Sequence, residues 1–197
     1  MIERVTGNLL EADAEALVNT VNCVGVMGKG IALQFRQAFP DNAKAYRRAC
    51  KEGKVQPGSM LVYDAGPLVS PRYIINFPTK RHWKGKSRIE DVRDGLRDLV
   101  RTIRRLKVRS IAIPPLGCGN GGLAWEDVRP LIEKALTQVP GVRTRLYEPA
   151  GAPARAEMPV RTKRPAMTAG RAALLGIFRR YLIPGYQLTM LEVQKLA

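Results

Sequence analysis

Apolar positions along this chain fall into two alternating rhythms. Ala16 to Val21, Tyr73 to Phe77, Ser110 to Ile113 and Val142 to Tyr147 are short segments rich in β-branched and aromatic residues, with the length of buried strands. Arg4 to Thr6 and Ser59 to Asp64 read as two more strands, with Gly66, Pro67 and Pro71 setting the second apart from its successor. Between them lie helical spacings. Ile31 to Phe39 is stopped by Pro40, and Asn42 to Lys51 is capped by Asp41 and ends near Gly53. A long helix runs to about Leu106, opened by Ser87 with Glu90 in capping-box spacing, and Trp125 to Gln138 forms another. Strands alternating with helices predict an α/β layer fold, with helices on both faces of the sheet.

The rhythm changes near residue 150. The run EPAGAPARAEMPVRTKRP, from Glu148 to Pro165, is rich in Pro, Ala and Arg and reads as a linker. The expected organisation is therefore a globular domain over 1–150, a linker over 151–167 and a helical segment over 168–197, with helical patterns at Thr168 to Leu182 and Thr189 to Ala197. Two such helices cannot bury a core alone. They either pack on the first domain or open a further one, and a pattern that stops in VQKLA favours the latter.

Two glycine-rich loops follow predicted strands. In NTVNCVGVMGKG, Asn19 to Gly30, an apolar run meets Asn22, then Gly25, Gly28 and Gly30 lead straight into a helix. Backbone N–H groups in such a loop, with a helix N-terminus behind them, favour an anionic, phosphate-bearing guest. The plainer reading is a strand-to-helix turn that needs left-handed glycines. No Gly-Lys-Ser/Thr follows the Walker spacing, and GVMGKG lacks the dinucleotide fingerprint. The second loop is PLGCGNGGL, after the strand ending at Ile113. Ligands of open α/β sheets sit outside the carboxyl ends of the strands, so both loops and the segment carrying Lys80 are expected to meet over one crevice.

Charge narrows the partners. The net charge is +16 with a pI near 10.3. Residues 1–150 hold 25 basic against 15 acidic side chains, and 151–197 hold 8 against 2, so both parts are basic. A polyanion fits that balance, with nucleic acid ahead of a membrane, since no anchor motif or lipid-facing helix stands out. Proteome composition alone would also give an Arg-rich chain. Cys23, Cys50 and Cys118 make neither metal spacing nor a disulfide framework, so no metal and no cofactor are expected. With no signal peptide or long apolar span, the chain reads as cytoplasmic and reduced.

The crevice chemistry is limited by an absence. No Asp or Glu occurs from Asn19 to Pro40, from Ala65 to Ser87, or from Pro114 to Trp125. A pair of carboxylates flanking a glycosidic bond is not available from these loops, and neither is a hard-cation site. Lys29, Lys80, His82, Cys23, Cys118 and the amides of Asn22 and Asn120 remain. Lys80 is the leading candidate: Pro78 stiffens the strand before it, and Arg81, Lys84, Lys86 and Arg88 are cations able to lower its pKa for work as base or nucleophile. A solvated lysine in a basic loop is the competing reading. His82, the only histidine, can assist proton transfer or be incidental. Cys118 lacks a Cys-His-acid arrangement, so small size beneath a tight turn explains it better. Trp83 among cations suits base stacking beside phosphate contacts, or packing on a neighbouring helix.

TGNLL, ALVNTVNCVGVMGKGIALQF, INFPTKRHW and IAIPPLGCGNGGLAW, in this order across residues 1 to about 150, closely resemble a macrodomain of the DarG type. That family is the antitoxin of the DarT/DarG toxin–antitoxin system, a DNA ADP-ribosyl glycohydrolase. The resemblance implies a macrodomain-like mixed sheet in an α/β/α sandwich, with the basic linker and helical segment opening a toxin-neutralising domain. It implies ADP-ribose in the crevice. Asn8 and Leu9 would meet the adenine, Thr20, Val21 and Asn22 the distal ribose, and Gly28, Lys29, Gly30 and Ile31 the phosphates and ribose. Gly117, Cys118, Gly119, Asn120 and Gly121 would form the second phosphate and distal-ribose loop. Thr79 and Lys80 would face the scissile carbon, with Lys80 catalytic. The implied substrate is ADP-ribosylated thymine in single-stranded DNA, held by Arg81, His82, Trp83, Lys84 and Lys86, and the implied partner is a DarT-type DNA ADP-ribosyltransferase toxin.

Two departures stand out. Most macrodomains carry Asp where Asn8 stands, so an adenine amino hydrogen would be accepted without charge assistance. The human terminal ADP-ribose glycohydrolase pairs its lysine with an aspartate in the second loop, and the matching stretch here is Asn120-Gly121-Gly122. Readings that compete with DNA glycohydrolysis are a non-cleaving ADP-ribose reader, a hydrolase of protein-linked ADP-ribose or O-acetyl-ADP-ribose, and a purely toxin-binding antitoxin.

Overall fold

The computed structural model of the chain describes residues 1–149, 158–161 and 166–181. The chain divides into two compact units, 1–162 and 163–197. The first unit contains β1 (Ile2–Val5), β2 (Ala16–Asn22), α1 (Gly30–Ala38), α2 (Pro40–Lys51), β3 (Leu61–Asp64), β4 (Tyr73–Lys80), α3 (Ile89–Leu106), β5 (Ser110–Ile113), α4 (Trp125–Leu136) and β6 (Arg143–Tyr147). The second carries α5 (Ala169–Tyr181), which has no buried residue. The pattern at Thr189 to Ala197 and the linker stretches 150–157 and 162–165 lie outside the described residues. No helix among the described residues is long and apolar enough to cross a membrane.

The strands form one mixed sheet in the order β1-β6-β5-β2-β4-β3. All neighbours pair in parallel except β3, which runs antiparallel to β4 at one edge. The two-residue alternation of a strand sorts side chains to opposite faces. Val18, Ile75, Phe77, Ile111, Ile113 and Leu146 point to one face, where α3 and α4 cover them with Leu96, Leu99, Ile103, Val128 and Ile132. Leu17, Ile74, Ala112 and Tyr147 point to the other, against Phe35 of α1, while α2 packs Ala43 and Tyr46 beside Val21. The α/β/α sandwich expected from the sequence is the one that forms.

Amides fix the register at the sheet centre. Asn19 and Asn76 are paired across β2 and β4 and fully buried, and Asn19 Nδ2 donates to Asn76 Oδ1 at 2.9 Å. Asn76 Nδ2 in turn donates to Asn42 Oδ1 at 2.8 Å and to the Leu61 carbonyl at 3.2 Å, tying β2, β4, α2 and β3 together. A one-residue slip would break all three bonds and reverse both faces.

Several boundaries differ from expectation for identifiable reasons. β1 begins at Ile2, where its parallel register with Thr144 of β6 starts. β3 begins at Leu61 because the Met60 N–H goes instead to Asp98 Oδ2, at 2.7 Å. β4 does not stop at Phe77. It continues through Pro78 to Lys80, and a register shift between Val21 and Asn22 absorbs the extra residue. Pro40 stops α1 but also begins α2, with Phe39 rather than Asp41 at the cap; Asp41 lies in the first turn and pairs with Lys44 at 2.9 Å. The capping box at Ser87 does not form: α3 starts one residue later, behind Arg88, and the Ser87 hydroxyl makes no cap bond.

The close seat of α3 on β4 rests on Gly95. A Cβ there would stand 2.3 Å from the Phe77 ring, which is fully buried. Gly95→Ala is therefore expected to lower stability by about 1–3 kcal/mol through overpacking, read as a lower midpoint in thermal or urea unfolding.

Candidate functional site

β2, β4 and β5 lie side by side and parallel, so their carboxyl ends share one edge of the sheet. The first glycine loop, the basic segment 81–88 and the second glycine loop leave from that edge. They meet there. The Lys80 amine donates to the Asn120 carbonyl. A Cβ on Gly30 would stand 2.7 Å from Asn120 Nδ2, so the two glycine loops abut across the mouth. Gly30 is left-handed as well, with φ +57°, which makes glycine the fitting residue twice over. Lys80 is the last residue of β4, paired with Asn22, and not a loop residue as expected.

The first loop is braced from within. Asn22 is buried, and its Oδ1 accepts from the N–H groups of Val24 at 3.0 Å and Val26 at 3.3 Å, while its Nδ2 donates to the Val26 carbonyl at 2.6 Å. From α2, the fully buried Tyr46 hydroxyl donates to the Asn22 carbonyl at 2.6 Å. Asn22 thus shapes the loop before it touches any guest. Thr20 is half-buried and Val21 buried beneath the loop, Met27 anchors it in the core, and Val24 and Val26 are exposed on its outer side. Gly28, Lys29 and Gly30 are exposed, Ile31 is half-buried, and α1 begins with no side-chain cap, leaving its first-turn N–H groups to meet an anion.

The second loop is held by the end of the basic segment. The Ser87 N–H donates to the Gly121 carbonyl at 3.0 Å. A Cβ on Gly121 would stand 2.2 Å from the Gly117 carbonyl and 2.3 Å from Ser87 Oγ, and one on Gly117 would stand 3.0 Å from Ser87 Cβ. Both glycines are required by this packing, independently of any phosphate. Ser87 Oγ is buried without a hydrogen-bond partner. Gly119 and Asn120 are exposed at the tip, and Cys118 is half-buried, its thiol pushed up to about 11 by burial. Burial also raises the Cys23 thiol to about 11. Neither sulfur is a ready thiolate near neutral pH.

Lys80 is different. Partial burial lowers its pKa below the ordinary lysine value, which favours the neutral amine. Thr79 beside it is buried. Arg81 does not project freely: its guanidinium grips the Asp91 carboxylate, Nη2 to Oδ1 at 3.1 Å and Nε to Oδ2 at 3.3 Å. Trp83 stands at the surface. It is 49% exposed, with the His82 ring 5.6 Å away and the Lys84 ammonium 5.1 Å above its face. His82, Lys84 and Lys86 are exposed. Asn8 caps the short turn Leu9–Glu11, accepting from the Leu10 N–H at 3.1 Å and donating to Glu11 at 2.9 Å, and the Leu9 side chain is buried. Among the described residues, no three His, Cys, Asp or Glu side chains gather as a metal site.

Sequence reasoning missed Tyr46, Asp91 and the true partner of Ser87. Tyr46 and Asp91 arrive from helices, 24 residues from Asn22 and 10 from Arg81, and only the burial of a polar side chain marks them.

A glycine-rich turn after each of two neighbouring parallel strands, β2 and β5, with the amine at the end of β4 reaching the second turn, characterises this edge of the sheet. The chain belongs to the macro domain family, whose profile matches residues 18–132. Within that family its likeness is to DarG. A curated relative from Thermus aquaticus named DNA ADP-ribosyl glycohydrolase is 58% identical over 198 residues, spanning 100% of this chain and 55% of the relative. The chain thus spans about half the length of the curated relatives it matches. The solved macrodomain of Thermus aquaticus DarG is 62% identical and superposes with a TM-score of 0.74, over 76% of this chain and 99% of that one. Thermosipho africanus DarTG, solved in complex with ADP-ribose, is 35% identical with a TM-score of 0.69, over 75% of this chain and 41% of that one.

The brace beneath the first loop can be tested alone. Tyr46→Phe leaves the buried Asn22 carbonyl without its donor and is expected to cost about 1–3 kcal/mol of stability. Hydrogen exchange of the Val24 and Val26 amides should quicken more than that of the β2 amides.

Proposed function

We propose that this protein is a DNA ADP-ribosyl glycohydrolase that removes ADP-ribose from thymine bases of single-stranded DNA, reversing the action of a DarT-type toxin. The observation carrying this reading is the junction of Lys80, Gly30 and Asn120: an amine of lowered pKa sits where two amide-lined turns meet. The identity to DarG proteins and the ADP-ribose in the related DarTG structure support the ligand.

In this reading the α1 N-terminus and the second loop hold the diphosphate through backbone N–H groups fixed before reaction. Asn8, Leu9, Thr20, Val21 and Asn22 line the nucleoside and distal ribose, with Asn22 acting chiefly through the loop it shapes. The bond from the ribose anomeric carbon to the thymine nitrogen breaks, water supplies hydroxide to that carbon, and the base leaves with a proton. Lys80 acts at that carbon, as nucleophile or as the base that takes the proton from water. The flanking strand runs over Trp83, which stacks a base, with Lys84 and Lys86 on phosphates. His82 extends that aromatic surface. The basic second unit contributes to binding of the toxin.

Lys80→Ala is expected to abolish release of ADP-ribose from a modified oligonucleotide while ADP-ribose affinity, by calorimetry, is retained; unchanged release would refute the proposal. Borohydride reduction during turnover, followed by intact mass, separates the two roles, since only a nucleophilic Lys80 is trapped as an adduct. In either role the neutral amine is the active form. Turnover should therefore rise with pH through the Lys80 pKa and level off below the pH an ordinary lysine would need. Deleting residues 168–197 should weaken binding to the toxin and leave turnover intact.

A further inference from the structure

The loops around the crevice carry no carboxylate, yet Asp91 brings one in from α3. It lies in the first helical turn, is only 6% exposed, and has both oxygens engaged by Arg81. It is close enough to the first glycine loop that its charge helps raise the Cys23 thiol, after burial and Cys50. Asp91 therefore stands where β2, β4 and α3 come together. Arg81 directly follows Lys80 in the chain.

The backbone around Lys80 shows what this pair does. On one side Lys80 is held by the sheet, through its pairing with Asn22. On the other the chain leaves the ladder at once, and the exposed residues 82–86 span the distance to the Ser87 N–H bond with Gly121. The two-pronged grip of Arg81 on a buried carboxylate is the fixed point that begins this span, and a fork-shaped contact sets direction as well as distance. It also answers the charge of Arg81, which makes that residue a poor hold for a DNA phosphate.

We propose that Asp91 is a positioning residue: by gripping Arg81 it fixes the strand end that carries Lys80, so that the amine is directed at the Asn120 side of the crevice. The proposal rests on the glycohydrolase reading for its kinetic effect, but its structural effect on Lys80 is independent of the substrate.

Asp91→Asn, Arg81→Lys, Arg81→Gln and the double variant D91N/R81Q provide the test. With ADP-ribosylated single-stranded oligonucleotide, each single change is expected to lower kcat about tenfold or more, as small misplacements of a reacting group do. KM and the Kd for ADP-ribose should stay within about twofold, because the positioning term acts on the reacting group and not on ground-state binding. The double variant should lose no more than either single, because the two residues act as one unit. Arg81→Lys keeps a cation on an exposed side chain and leaves the buried Asp91 carboxylate charge-paired, so it tests the grip without burying an unpaired charge. Reductive methylation of Lys80, followed by mass spectrometry on the unliganded chain, should change in rate in every variant and gives a readout free of substrate. Wild-type D91N turnover, additive losses, or an unchanged Lys80 methylation rate would overturn the proposal. So would an R81Q variant with normal kcat whose salt slope for DNA binding falls by about one, the mark of a lost phosphate contact. If the wild-type chain releases no ADP-ribose, the glycohydrolase reading fails while Lys80 methylation still decides the role of Asp91.

Discussion

The parallel pairing of β2 with β4 decides where the loops around Lys80 converge. It is set by the buried amides of Asn19 and Asn76, which match donor to acceptor in one register only. With that register fixed, Asn22 and Lys80 end the two strands side by side. The extra residue at Pro78 and Thr79 is absorbed immediately before them, so the irregularity falls at the site and spares the core. β5 adds the third exit on the same edge. The crevice is thus a product of sheet geometry first, and of loop sequence second.

Each loop is then held by groups outside itself. Tyr46 of α2 braces the first, the Ser87 backbone holds the second, and Asp91 of α3 grips the segment between them. This arrangement answers a difficulty of glycine-rich turns, which gain freedom of conformation and lose definition. Buried side chains on rigid helices supply the definition, while the loop tips stay exposed. The positive charge of the surface is consequently uneven in use. Lys84 and Lys86 are open to solvent, whereas Arg81 is committed to its own protein.

Much of this was legible in the residues, and the parts that were not share a cause. Strand and helix alternation gave the sandwich, because its parallel strands are buried on both faces and read as apolar runs. Lys80 stood out because the surrounding loops lack carboxylates and a proline stiffens the approach to it. Ser87 was misread because the capping box is a local signal, and a tertiary bond to Gly121 overrode it. Gly117 and Gly121 were read as phosphate contacts, yet their lack of a side chain is already demanded by Ser87 packed against them. Asp91 and Tyr46 left no trace in spacing, since each contact joins a helix to a strand end at a separation that matches no local motif.

The contact between the Lys80 amine and the Asn120 carbonyl has a further consequence. The bond joins the end of β4 to the tip of the second loop, and with Gly30 packed against Asn120 it draws three chain segments to one point. Anything that takes the place of the Asn120 carbonyl frees the Lys80 amine in the same act, so loosening the turn and releasing the side chain are a single event.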